Sequence, residues 1–136
     1  MTAPVRAEVQ IRAQKDLRLA AQLVRELRPG SESAKIYGGL CHQFPVMVQT
    51  VGLAQALAFS ASKAGEGKKD REIAHSKLLE HVGKVLDTET GILEKVQRAS
   101  ATDYMHMTRR VLGAWVYFKR FAVSILKVEG SEEARE

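Results

Sequence analysis

The sequence predicts an all-α fold, a single-domain bundle of five to six helices around a central apolar helix. Three observations lead there. Apolar residues recur three and four apart along most of the chain, few segments alternate with period two, and the turn signals leave helix-length stretches between them. At 136 residues with 45% hydrophobic and 27% charged content, the chain has the balance of one ordinary globular domain.

The first helix is expected from about Pro4 to Leu27, with Val9, Ala13, Leu17, Ala20, Val24 and Leu27 as its core stripe. Arg12, Lys15, Arg18 and Arg25 stand opposite that stripe, and Leu19 and Leu23 lie off it. The segment RPGSES, 28–33, combines Pro, Gly and capping serines and reads as a loop. A short helix should cover Ala34 to His42. Pro45 then suits the first turn of the next helix, where a missing N–H is harmless.

That next helix, reaching about Lys63, is the central one. No Asp, Glu, Lys or Arg occurs from Ile36 to Ser62, and on a helical wheel the segment after Pro45 is apolar nearly all round. Such a helix is buried nearly all round. Its narrow remaining strip includes Gly52, Ala56 and Ser60, small residues four apart where another backbone can come close. Either a neighbouring helix of the same chain fills that strip or a second subunit docks there.

After the loop AGEGKKD, 64–70, a helix is expected from Asp70 to Leu86 with Ile73, Leu78, Leu79, Val82 and Val85 apolar. DTETG interrupts it, and a short helix follows with Ile92, Leu93 and Val96. Ser100 and Asp103 have the spacing of a capping box and open a last helix to about Val128. Tyr104, Thr108, Val111, Trp115, Phe118 and Ala122 form its core stripe. Arg109, Arg120 and Lys127 project together elsewhere, within about 20° on an ideal wheel, flanked by Met105, Val116 and Val123. The bundle domain is accordingly placed at 1–128 and an acidic disordered tail at 129–136.

Charge narrows the function classes. The net charge is +5, and the tail EGSEEARE contributes −3, so residues 1–128 carry +8. A basic domain of this size fits a polyanionic partner, nucleic acid above all, although the same rows serve equally as solvated faces. The nucleic-acid-binding candidates are Arg12, Lys15, Arg18, Arg25, Arg109, Arg120 and Lys127. They would bind phosphate without reading bases. The one cysteine, Cys41, excludes an internal disulfide, and the N-terminus lacks a signal-peptide pattern, so the cytoplasm is the expected location. Gly38-Gly39, Gln43, Pro45, Gln49 and Gln55 break the uncharged zone too often for a membrane span.

No catalytic set assembles, and no enzyme, cofactor or metal site is expected. Glu72-x-x-His75 and Asp103-x-x-His106 imitate half of a helical di-iron site, but the inward carboxylates it needs from two further helices are missing. Cys41 and His42 are adjacent and cannot face one reacting atom from a helix. GEGKKD lacks the strand–loop–helix setting of a phosphate loop.

One combination goes further. Tyr37, then Phe44-Pro45-x-Met47, then Gly52-Leu53-Ala54-Gln55-Ala56-Leu57-Ala58-Phe59, and late in the chain Tyr104 and Trp115-x-x-Phe118-Lys119-Arg120-Phe121-Ala122, resembles the small all-helical subunit of Cmr-type (type III-B) CRISPR RNA-guided effector complexes. The resemblance spans roughly residues 9–126. It implies a non-catalytic structural subunit of an antiviral ribonucleoprotein. Copies of it would stack in a helical filament beside the backbone subunits, bridge toward the large polymerase-like subunit, and line the path of guide RNA and target RNA. The alternative is a free-standing basic helical nucleic-acid-binding protein.

Overall fold

A computed structural model describes the backbone of residues 3–130 and the side-chain surroundings of residues 11–130. Six helices run in order: α1 (Ala3–Val24), α2 (Glu32–Val51), α3 (Leu53–Ala64), α4 (Asp70–Val85), α5 (Ile92–Arg98) and α6 (Ala101–Ser124). The described residues contain no strand. None of these helices is long and apolar enough to cross a membrane.

The middle of the chain departs from the sequence expectation. The expected short helix and the start of the central one are a single element, α2, with Pro45 inside it. An interior proline loses a hydrogen bond and crowds the preceding turn, at about 3 kcal/mol. Here that is offset by burial on both sides of it. Cys41, Phe44 and Val48 are core residues, and the Phe44 ring lies 5.0 Å from that of Trp115. The break comes instead at Gly52, whose φ of +93° lies outside the comfortable range of other residues. It ends α2 and begins α3, with Ser31 capping the other end of α2 through the Ala34 N–H. A glycine cannot cap α3 with a side chain, and Tyr104 of α6 does so from across the bundle: the Ala54 N–H donates to its hydroxyl at 3.0 Å.

Nor is the uncharged segment covered all round. Val46 (62% exposed), Val51 (49%) and Phe59 (43%) face outward. The hub role is shared: α2 packs on α3, α4 and α6, while α3 packs on α4 and α1 on α6.

The buried face of α1 is also rotated from the expected stripe. Ala20, Leu23, Val24 and Leu27 are core, Leu17 is exposed, and Asp16 is buried. At the other end, α6 stops at Ser124 rather than Val128. Lys127 adopts φ +63° and turns the chain back, the Val128 N–H reaching the Ala122 carbonyl at 2.9 Å. Val128 then packs directly on Gly38, where a β-carbon would sit 2.6 Å from its own, and its carbonyl accepts from His42 Nε2 at 2.8 Å. Val128 thus packs on the bundle, whereas residues 131–136 of the expected tail lie outside the described residues.

Candidate nucleic-acid interface

Two clefts of about 550 and 610 Å³ adjoin where α1, the end of α4 and α6 meet. Arg12, Lys15, Arg18, Lys84 and Arg110 line the first with Asp16 and Asp87. Arg12, Asp16, Asp87 and Arg110 also line the second, together with His106 and Arg109. Among the described residues, six cations therefore face this concavity against two carboxylates. No described Phe, Tyr or Trp lines it.

Its shared wall is an ion pair. Arg110 Nη1 stands 2.7 Å from Asp16 Oδ1, in charge contact without an aligned N–H···O path. Asp16 belongs to the buried face of α1, and about a quarter of the Arg110 side chain remains open.

Of the residues proposed from sequence, Arg12, Lys15 and Arg18 share the first cleft and Arg109 joins them through the second. Arg25, Arg120 and Lys127 are exposed but line neither cleft. The expected row Arg109–Arg120–Lys127 does not form, because Lys127 lies past the end of α6 with reversed backbone. Sequence reasoning missed Lys84, Arg110, Asp16 and Asp87. The available signal was Asp16 itself: it falls four residues before Ala20 and eight before Val24, a carboxylate on an otherwise apolar face.

The small-residue strip is occupied from within. Ala56 and Ser60 are buried, and Ser60 shares a hydrogen bond of 3.2 Å with His75 Nδ1 of α4, leaving only Gly52 partly open. The close approach it permits is thus made by the chain's own helices.

The histidine pairs have structural employment. Glu72 accepts the Lys68 and Lys69 N–H groups at 3.1 and 3.2 Å, and these two bonds hold its carboxyl below the usual range. His75 has its pKa lowered by burial first, then by Arg71 and Lys63. A different set lies closer together: Glu26, Glu80 and His81 bring potential ligand atoms within 4.8 Å of one another. Lys77 already supplies a cation there, 3.1 Å from Glu26 and 3.8 Å from Glu80. His81 Nε2 reaches Glu26 Oε1 at 3.0 Å while its Nδ1 meets the Tyr37 hydroxyl. Burial pushes the Tyr37 hydroxyl far up and the Cys41 thiol to about 12, which keeps both protonated. Tyr37 therefore donates to His81 Nδ1 and His81 donates to Glu26, the one tautomer that serves both contacts.

A family model for CRISPR-associated protein Cas_Cmr5 matches residues 12–125, the span from the basic face of α1 to the end of α6. The chain belongs to the Cmr5 family. The protein called CRISPR system Cmr subunit Cmr5 from Thermus thermophilus is 34% identical over 125 residues, covering 90% of this chain and 99% of that one. The crystal structure of a CRISPR-associated Cmr5 family protein from the same organism superposes with a TM-score of 0.67 at 32% identity, over 85% of this chain and 96% of that one. The fold is therefore shared with a solved family member over most of the chain, and the residues that carried the sequence resemblance lie inside the matched span.

Proposed function

We propose that this chain is a non-catalytic structural subunit of a Cmr, type III-B, CRISPR RNA-guided effector complex in the cytoplasm. In this reading it stacks with copies of itself, contacts the backbone and large polymerase-like subunits, and lines the guide and target RNA path with its basic surface. The observation that carries the reading is family membership across the whole bundle, with a relative that bears the name of a Cmr subunit. Chemistry within the chain agrees. The Cys41 thiol is buried with its pKa at about 12, so it is no nucleophile at neutral pH. His75 and His81 are both buried and hydrogen-bonded within the core. Among its surface features is a concavity rich in Arg and Lys, suited to phosphate.

Tagged chain purified from its native cell should bring down guide RNA and the partner subunits. Recovery of neither overturns the proposal, and a sequence-selective DNA footprint by the isolated chain would favour a free-standing DNA-binding protein. In reconstituted complex, charge reversal of Arg12, Lys15 and Arg18 together should lower retention of target RNA while assembly persists.

A further inference from the structure

We propose that the double cleft between α1, α4 and α6 seats successive phosphates of single-stranded RNA around the Arg110 guanidinium, and that Asp16 is the positioning residue that aims it. This rests on the reading above that the chain works against RNA. The first reason is burial. Asp16, 5% exposed, is fixed on the core face of α1 four residues before Ala20, and cannot swing into water. It takes one edge of the guanidinium at 2.7 Å. A guanidinium carries five N–H donors in a rigid fork, so an arginine held at one edge still offers the others to a ligand. Arg110 lines both clefts, and what it offers is presented where they join.

The second reason is crowding. Arg12, Lys15, Arg18, Lys84 and Arg109 surround that guanidinium, and none forms an ion pair with a described residue. A buried ion pair built only for stability gains nothing from five further positive charges beside it. A polyanion entering the concavity relieves the repulsion among them and displaces their counterions. The third reason is the missing platform. With no Phe, Tyr or Trp among the described lining residues, the strand is held chiefly by its backbone and without sequence preference, since stacking on His106 or a guanidinium plane accepts any base.

The decisive test turns on a sign. Asp16→Asn removes a negative charge from the cleft, so a merely attractive surface would bind RNA more tightly. A positioning role predicts the reverse: about tenfold weaker binding of a mixed-sequence single strand of about 20 nucleotides by the full chain. Arg110→Lys, which keeps the charge and loses the fork, should weaken binding in the same way, and adding Asp16→Asn to it should change little. Exposed Lys15→Gln combined with Lys84→Gln should leave the melting temperature alone. It should also reduce the slope of log affinity against log salt by about 0.7 for each phosphate that is no longer neutralised. Should Asp16→Asn fail to fold, this pair and Arg110→Lys decide the matter.

Unchanged or tighter binding by folded Asp16→Asn overturns the positioning role. An unchanged salt slope in the lysine pair overturns the cleft as the seat, even where wild-type complex retains RNA and the subunit reading stands. Wild-type complex that retains no RNA overturns both.

Discussion

Asp16–Arg110 and Glu26–His81 are each a carboxylate facing a basic side chain at the edge of the core, yet they end differently. Both ring nitrogens of His81 are answered. Its Nδ1 takes the Tyr37 hydroxyl, its Nε2–H goes to Glu26 Oε1, and Lys77 donates to that same oxygen at 3.1 Å. Burial alone would raise the pKa of Glu26, and the His81 and Lys77 contacts bring it below its ordinary value instead. Burial likewise lowers the pKa of His81, with Glu26 pulling partly the other way. Arg110, by contrast, gives one edge to Asp16 and keeps the rest toward an open cleft crowded with other cations. A closed network commits its polar groups to the fold, and an open one keeps donors for a ligand. Burial of the polar contact is common to both, and what separates them is whether the base is fully enclosed.

Substitutions should separate the two regions by what they change. The largest effect is expected from His81→Ala, which leaves a cavity and strands the Tyr37 hydroxyl, while Glu26 keeps Lys77. It should destabilise the fold by about 3 kcal/mol, or roughly 10 °C in melting temperature, seen by calorimetry. Tyr37→Phe is milder, orphaning only Nδ1, and should remove about 1–2 kcal/mol. If either left stability intact while abolishing RNA retention, the closed site would be functional and the contrast would fail.

Acid should act next. His81 has a folded pKa below its unfolded value of 6.5, so the unfolded chain binds its proton first. The resulting stability is whole above pH 6.5 and declines as pH falls toward the folded value, by at most about 1.4 kcal/mol per pH unit. His75 shifts the same way, and Glu26, lowered from 4.5, adds a further loss below that value. Melting temperature should therefore fall from about pH 6.5 to pH 5, and less steeply in His81→Gln than in wild type. A flat or rising profile would refute the enclosed neutral histidine. Lys77→Ala, at a partly exposed pair, should lose only about 0.5 kcal/mol. Smallest in stability is Lys15→Gln, within about 0.5 kcal/mol of wild type, with its effect reserved for salt-dependent RNA binding.

Much of this molecule was readable along the chain, and each miss has a reason. The start and end of α4, the span of α5 and the Ser100 cap were legible because turn residues and capping chemistry act within a few residues: Asp103 N–H does donate to Ser100 Oγ, at 3.1 Å. Pro45 misled because its local penalty is real but was outweighed by Phe44 packing against Trp115, which comes from α6, far along the chain. The face of α1 differs from the expected stripe by one step, because Leu17 is exposed and the neighbouring Asp16 takes the buried side. Its partner, Arg110, lies on that same distant helix.

Periodicity, capping residues and the charge excess of residues 1–128 were enough by themselves to specify a basic helical bundle, and a handful of residues around Phe44 and Gly52 pointed to its family. Only the tertiary structure decided which cations share a cleft, since Lys84, Arg12 and Arg110 come from three helices whose rotation and crossing no local rule encodes. It alone also sent Lys127 away from the row on α6, by a backbone reversal that brings Val128 onto Gly38. The physical reason is the same in both cases: helix propensity is set by neighbours in sequence, whereas the aim of a charged side chain is set by what its helix buries on the other side.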